Sequence, residues 1–360
     1  MKTSLRPRDL ALLALACGLA ASLLAWYVAG RLAEREGNAR SAARADVAAG
    51  LIERRIQRYI DVLHGVEALA LHDSDLSRAE FRGYVAALEL DRRFPGVKAV
   101  ELVRRVSDAE RDAFVESVRT DRSLSPFGYP DFDIRPAGRR AEYWVVDYVE
   151  PPDGNEPIFG LDMRTRLGAA SAAERALRTG RPTATGRYRL VSGAGAADGG
   201  LTIYLPVSEA ASTPDERLAN ARAFVDVVLR MDQVLSEVLS EPAMAGIQLQ
   251  IRDLGPAGAK PEAGTQDSAF YRSPAPAEPG GALAWAGWRY RQSQQMPMAE
   301  RVWSLEFESA PEANPWLTRF PLLVLGTGMG MTLAAFLAFS GVARARGEAV
   351  AKAEHATGEL

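Results

Sequence analysis

The stretch "YVEPPDGNEPIFGLDM", residues 148–163, decides how the central part of the chain is interpreted. Its middle, "PPDGNE", has the composition of a turn, and the apolar runs on either side, "EYWVVDYVEP" and "PIFGLDM", predict two strands. The second run ends on Asp162, and a carboxylate among apolar neighbours needs a hydrogen-bonding partner, which a ligand could supply. Asp162 could instead cap the helix that follows it.

The composition limits the class of protein. The chain has 360 residues, of which 47% are hydrophobic and 25% charged, and its net charge is −3. These values exclude a disordered chain and a polycation, so we expect no nucleic-acid partner. Cys17 is the single cysteine, so an internal disulfide is excluded and the fold must be stabilised by hydrophobic burial.

Two uncharged segments, residues 10–30 and 320–342, are long enough to cross a hydrocarbon core of about 30 Å. Lys and Arg residues lie outside both segments, in the tails 1–9 and 343–360, which indicates that both tails are cytoplasmic. We therefore predict a two-pass protein of the inner (cell) membrane whose central region is periplasmic or extracellular. A cleaved signal peptide is the alternative for the first segment, but its apolar run has the length of a span.

Residues 31–76 predict a long stalk helix leaving the membrane. Its apolar residues recur at spacings of four and three, which places them on one helical face: Ile52, Ile56, Tyr59, Leu63, Val66 and Ala70. This stripe can pack either on a globular domain or on the same helix of a second subunit, because its spacing is close to a heptad. The second possibility predicts a homodimer.

Strands and helices alternate after the stalk. Ser77 and Glu80 have the spacing of a capping box at the start of a helix, and Gly180 is placed to end the helix "AASAAERALRTG". The pattern predicts an α+β fold with two successive lobes of antiparallel sheet, a membrane-distal lobe over residues 77–220 and a membrane-proximal lobe over residues 221–310.

Several of these motifs together resemble a known family. "RFPGVKAVELVRRVSDAERDAF", "YVEPPDGNEPIFGLDM", "ALRTGRPTATGRYRL" and "IYLPV" are similar, in order and spacing, to the CHASE domain, an extracytoplasmic sensor module of bacterial and plant receptors. The resemblance implies a long stalk helix with two PAS-like lobes, of which the distal one binds a small ligand. It also implies a cytoplasmic output, a histidine kinase or a cyclic-di-GMP enzyme.

The resemblance also suggests where the ligand binds. In the cytokinin-binding members an aspartate at the position of Asp162 hydrogen-bonds the ligand, whereas Tyr204 stands where those receptors have threonine and Ala184 where they have leucine, which implies a reshaped pocket. Arg187 lies on the polar face of the predicted strand "TGRYRLVS", where it can face solvent or hold an anionic ligand. The candidate ligand-binding residues are therefore Asp162, Leu161, Ala184, Tyr204 and Arg187.

The sequence contains no catalytic or metal-binding motif. The three histidines, His64, His72 and His355, are too scattered for a zinc site, and neither a nucleophile motif nor a phosphate-binding loop appears. We therefore expect no enzyme activity, metal or cofactor. Eighteen residues follow the second apolar segment, too few for an output domain. The chain is then either the sensor part of a longer protein or the partner of a separate one. A ligand-free membrane scaffold or regulatory subunit is the alternative function.

Overall fold

A computed structural model of the chain describes residues 7–73, 75–190, 199–209, 213–259, 269–274, 290–309 and 315–357. The fold is α+β, with a long helix near each end and two antiparallel sheets between them. The chain divides into two compact units. One unit contains the first part of the N-terminal helix, up to Ala43, together with the C-terminal helix, and the other contains the rest of the N-terminal helix and both sheets.

The two terminal helices are candidate membrane spans. Helix α1 runs without interruption over Pro7–His72, and the C-terminal helix covers Pro315–Thr357. Each contains an 18-residue window with a mean hydropathy of 2.0, and most of each window is exposed. Small polar residues join the two helices, because the Ser22 hydroxyl lies 3.5 Å from that of Thr332. This close packing at small residues is typical of helix pairs in membranes.

Two short helices follow α1. Helix α2 (Arg78–Ala87) starts with the predicted capping box: Ser77 Oγ accepts from the Glu80 amide at 3.3 Å, and the Glu80 carboxylate accepts from the Ser77 amide at 2.9 Å. Helix α3 covers Leu90–Arg93.

The first sheet contains six strands, with the order β2-β1-β6-β5-β3 and β4 also paired with β5. Its strands are β1 (Val97–Ser107), β2 (Glu142–Glu150), β3 (Thr183–Ala184), β4 (Tyr188–Arg189), β5 (Gly199–Val207) and β6 (Ala223–Arg230). Its helices are α4 (Arg111–Thr120), α5 (Leu167–Thr179) and α6 (Pro214–Asn220). Gly180 ends α5 in the left-handed conformation (φ 66°), as predicted.

The position of β6 corrects the predicted lobe boundary. Residues after 220 were assigned to the second lobe, but β6 pairs with both β1 and β5 in the middle of the first sheet. The prediction was wrong because a strand followed by a helix has the same local pattern in either lobe. The first lobe therefore extends to Arg230.

The second lobe consists of helix α7 (Met231–Ser240) and a four-stranded sheet with the order β8-β7-β10-β9. Its strands are β7 (Ile247–Pro256), β8 (Tyr271–Arg272), β9 (Tyr290–Met298) and β10 (Arg301–Ser309). Most of the predicted strand "ALAWAGWRYR" lies outside the described residues. Ala299 and Glu300 join β9 to β10 with positive φ angles of 43° and 60°, which is the backbone of a tight hairpin turn. The C-terminal helix α8 (Pro315–Thr357) follows β10.

The apolar stripe of the stalk is core. Ile52, Ile56 and Leu63 are at most 2% exposed, and they share one cluster with buried residues of both sheets, among them Val227 and Trp303. The interpretation in which this stripe forms a dimer interface is therefore wrong. The spacing of the stripe is equally compatible with packing on a sheet. The homodimer stays a prediction, and the stripe no longer supplies an interface for it.

The segment "PIFGLDM" is not a strand. Its described backbone forms two single-turn 3-10 helices, Glu156–Ile158 and Met163–Thr165, and between them Leu161 and Asp162 make only isolated bridges. Gly160 has φ 81°, and a Cβ atom there would lie 2.7 Å from the Asp133 carbonyl oxygen. The chain therefore turns sharply before Asp162. "TGRYRLVS" likewise contributes only the two-residue strand β4 among its described residues.

Candidate functional site

The first sheet has two buried faces because side chains alternate along each strand. Ile203 and Val227 lie on the face that packs on α1. Tyr204 and Phe224 lie on the opposite face, which packs against α5 and is called the α5 face below.

A row of buried polar side chains crosses the α5 face. Glu101 on β1 is paired with Asp226 on β6, Asp226 with Tyr204 on β5, and Tyr204 with Thr183 on β3. Directly paired residues point to the same face, with Cβ atoms about 4.5–5.5 Å apart. The four residues are at most 2% exposed. Two carboxyl groups therefore lie side by side in the interior of the lobe.

Several polar atoms on this face have no hydrogen-bond partner among the described residues. Within the described part of the chain, both carboxylate oxygens of Asp226, the Tyr204 hydroxyl and Trp144 Nε1 are buried and form no hydrogen bond. Buried polar atoms in folded proteins are nearly always hydrogen-bonded, to protein, water or ligand. Such a group of unpaired atoms indicates a place where a polar molecule is held.

Burial changes the protonation of the two acids. It raises the pKa of Glu101 to about 8, against the opposing charge of Arg166. Burial, followed by the Glu101 charge, raises the pKa of Asp226 well above its usual range. The pKa values of Tyr204 and Tyr188 are also raised, mainly by burial. At neutral pH the pair of acids therefore retains at least one proton.

Aromatic residues share this face with the two acids. The Phe224 ring lies 6.2 Å from that of Tyr204, edge to face, and 5.0 Å from that of Trp144. The Tyr188 hydroxyl lies 2.6 Å from the hydroxyl of Thr202. The α5 face thus combines apolar ring surfaces with a few convergent polar groups, which is the usual make-up of a small-molecule site.

Asp162 lies at the edge of the same face and is fully buried. Its Oδ1 accepts hydrogen bonds from the Trp144 amide at 3.0 Å and the Arg164 amide at 3.1 Å. The second bond caps the 3-10 turn Met163–Thr165, whereas α5 begins only after Arg166. Within the described residues Oδ2 has no hydrogen bond, and Arg140 Nε lies 3.8 Å away. Asp162 is therefore a structural cap whose second oxygen has no hydrogen bond among the described residues.

A cavity of about 390 Å³ opens beside Asp162. It is lined by Arg140, Ala141, Glu142, Arg164 and Thr165. Arg164 bonds Glu142 at 3.0 Å, and its guanidinium lies 5.3 Å from the centre of a Trp144 ring. Polar side chains that also contact Asp162 therefore line an opening at this edge of the lobe.

The structure brings together some of the predicted ligand-binding residues and separates others. Asp162, Leu161 and Tyr204 lie on the side of the α5 face, where Leu161 packs against its apolar cluster. Ala184 is buried on the opposite face, in the cluster that contains the stalk. Its neighbour Thr183 faces Tyr204, because successive strand residues point to opposite sides. Arg187 is exposed. Ala184 and Arg187 therefore do not share a pocket with Asp162.

The sequence reasoning missed Glu101 and Asp226. Each is a single carboxylate within an apolar run, "AVELV" and "AFVDVVL". A lone acid in the middle of a strand that is apolar on both faces is the signal that could have identified them. Over the described ranges, His, Cys, Asp and Glu residues form no group of three or more that could hold a metal ion.

Comparison with known proteins identifies the family. Residues 74–270, more than half of the chain, match the model of the CHASE domain. The chain belongs to the CHASE-domain family. It is a sensory receptor chain of that family, as the resemblance predicted. No curated protein sequence matches this CHASE protein.

Solved structures with a similar arrangement are distant. An extracellular ligand-binding receptor from Desulfohalobium retbaense is 10% identical, with a TM-score of 0.41 over 76% of this CHASE protein, which spans 39% of that receptor. The ligand-binding domain of the Pseudomonas aeruginosa amino-acid chemoreceptor PctC, in complex with GABA, is 12% identical, with a TM-score of 0.39 over 75% of this chain and 100% of that one. The corresponding PctB domain with L-Arg is 13% identical, with a TM-score of 0.38, over 73% and 91% of the two chains.

Proposed function

We propose that this CHASE protein is a membrane-anchored sensor that binds a small molecule on the α5 face of its first lobe. The signal passes to a cytoplasmic output, a histidine kinase or a cyclic-di-GMP enzyme. The proposal contains no catalytic step and no cofactor.

One observation carries the proposal. Asp226, Tyr204 and Trp144 bury polar atoms on a single face, and no described residue bonds them. An unsatisfied buried polar group costs about 1–3 kcal/mol. Several such groups together would strongly destabilise the folded lobe unless a bound molecule forms hydrogen bonds with them. Asp162, whose Oδ2 has no hydrogen bond among the described residues, is a fourth such group at the edge of this face.

Hydrogen bonds connect this face with the turn between β9 and β10. Thr202, whose hydroxyl meets that of Tyr188, accepts from the Thr185 amide at 2.9 Å through its carbonyl oxygen. The adjacent Ala184 amide donates to the Ala299 carbonyl oxygen at 2.9 Å, in the turn between β9 and β10. Strand β10 is the last strand before α8. A ligand that binds one arrangement of these hydrogen bonds better than another would shift the equilibrium between the two arrangements. In this proposal the shift reaches α8 through the chain that follows β10.

The test is a thermal-shift screen of the full chain in detergent micelles. Its libraries are amines, purines, amino acids and carboxylates. A ligand at a hundredfold excess over its Kd stabilises the folded state by about 2.7 kcal/mol. The Tyr204→Phe variant should reduce the shift produced by any positive compound, whereas Asp131→Asn, at an exposed position of the same lobe, should not. If no compound raises the melting temperature, the ligand-free scaffold becomes the better description.

A further inference from the structure

One described cation lies near Glu101 and Asp226. The groups that face the two acids are the phenols of Tyr204 and Tyr188 and the guanidinium of Arg166 at the start of α5. Arg166 is only half-buried and forms no ion pair among the described residues. Among the described residues, the two carboxyl groups therefore share one partly solvated cation.

We propose that the ligand is a small organic cation, an ammonium or a guanidinium, whose charged group binds between Glu101 and Asp226. This inference rests on the proposed function and specifies the chemistry of its site. It depends on the cross-strand pairing of the two acids, on their complete burial, and on the unpaired Asp226 and Tyr204 oxygens.

The donors of such a cation match the acceptors that are present. An ammonium has three N–H donors. The two oxygens of Asp226 and the hydroxyl oxygen of Tyr204 are three acceptors without a described partner, and Glu101 supplies a second carboxylate beside Asp226. These would be charge-assisted hydrogen bonds, which are stronger than neutral ones.

The surrounding rings favour an organic cation. The rings of Tyr204, Phe224 and Trp144 lie on the same buried face of the sheet as the acids. Aromatic faces attract ammonium and guanidinium groups, and the attraction increases when water is excluded. The same rings can cover the carbon skeleton of the ligand.

Binding should exchange one proton for the ligand. In the empty site the pair of acids holds a proton because burial opposes a second negative charge. When the cation enters, that proton leaves to solvent, and the net charge of the site is unchanged. Affinity should then rise up to about tenfold per pH unit. The rise should become less steep above about pH 8, where Glu101 loses its proton in the folded protein without ligand.

The experiment uses the full chain in detergent micelles and probes of matched size. The cations are butylamine and agmatine, and the controls are butanol, butyrate and calcium ion. Melting temperatures are measured against probe concentration at pH 6, 7, 8 and 9 for the wild type, Asp226→Asn, Glu101→Gln and Asp131→Asn. We expect the two cations to raise the melting temperature of the wild type and of Asp131→Asn, increasingly so at higher pH, and to have no effect on the other two variants.

The Tyr204→Phe variant keeps the proposal testable if Asp226→Asn fails to fold. It retains the ring and loses one acceptor, so the affinity for butylamine should fall about tenfold. The organic-cation inference would be overturned if butanol or butyrate raised the melting temperature as much as the cations do, or if the cations stabilised Asp226→Asn as much as the wild type. It would also be overturned if calcium raised the melting temperature of the wild type and not that of Asp226→Asn. The absence of any shift with either cation would overturn it as well. The broader library screen decides separately whether the chain is a sensor at all.

Discussion

Replacing Asp162 with alanine should destabilise the first lobe by about 2–3 kcal/mol. The change removes the acceptor of two backbone amides, the buried one of Trp144 and the partly buried one of Arg164. An unsatisfied buried donor costs about 1–3 kcal/mol, and the Arg164 amide falls at the lower end because water can reach it. Oδ2 forms no hydrogen bond among the described residues and lies 3.8 Å from Arg140 Nε, so its loss removes a poorly solvated buried carboxylate and offsets part of this cost.

The Asp162→Asn variant separates the cap from the charge. Its amide oxygen can still accept both backbone hydrogen bonds, so its unfolding free energy should stay within about 1 kcal/mol of the wild type. Urea unfolding of the full chain in detergent micelles, followed by tryptophan fluorescence, measures both variants, with Asp131→Ala as an exposed control. Equal destabilisation by Asn and Ala would refute the capping argument and attribute the effect to the carboxylate charge. A loss below about 0.5 kcal/mol in Asp162→Ala would refute it as well.

Three further changes have definite expected results. Burial raises the pKa of Glu101 from 4.5 in the unfolded chain to about 8 in the folded chain. The contribution of Glu101 to the free energy of unfolding is therefore full below pH 4.5 and is lost as the pH rises to about 8, by up to about 1.4 kcal/mol per pH unit. Urea unfolding at several pH values measures this slope, and Glu101→Gln should flatten it. Ile56→Asp should unfold the lobes at lower temperature by burying a charge in the core, whereas Val47→Asp, at a position 52% exposed on the same helix, should not; reduced association in sedimentation with unchanged melting would contradict the core assignment. Arg78→Ala should cost about 1.5–3 kcal/mol, since it removes one of the two arginines, Arg78 and Arg104, that pair with the buried Asp147. An unfolding free energy equal to that of the wild type would contradict the Arg78–Asp147 ion pair.

Features that depend on neighbouring residues were predictable from the sequence. The candidate spans follow from the length of the two uncharged segments, and the stalk helix follows from the spacing of its apolar residues. The start of α2 follows from the capping box of Ser77 and Glu80. The end of α5 at Gly180 follows from the same kind of local rule. The family could be identified from four colinear motifs, and the match over residues 74–270 confirms it.

The local conformation of "PIFGLDM" was not predictable in this way. Its apolar residues have the composition of a strand, but Gly160 turns the chain and Phe159 packs its ring 4.8 Å from that of Phe132. These contacts connect residues that are distant in sequence. The same reason explains the lobe boundary, because only strand pairing places β6 between β1 and β5.

The sequence by itself therefore determined the class of this protein: two apolar segments of membrane-spanning length, a long stalk helix, an α+β sensor region of the CHASE family and a carboxylate at Asp162. These depend on composition, period and short motifs, which are local properties of the chain. Only the tertiary structure decided that the stalk stripe is core and that Ala184 faces away from Asp162. It alone placed Glu101 beside Asp226 on the α5 face. Strands 125 residues apart in the chain become neighbours only through sheet register, and no local pattern encodes that register.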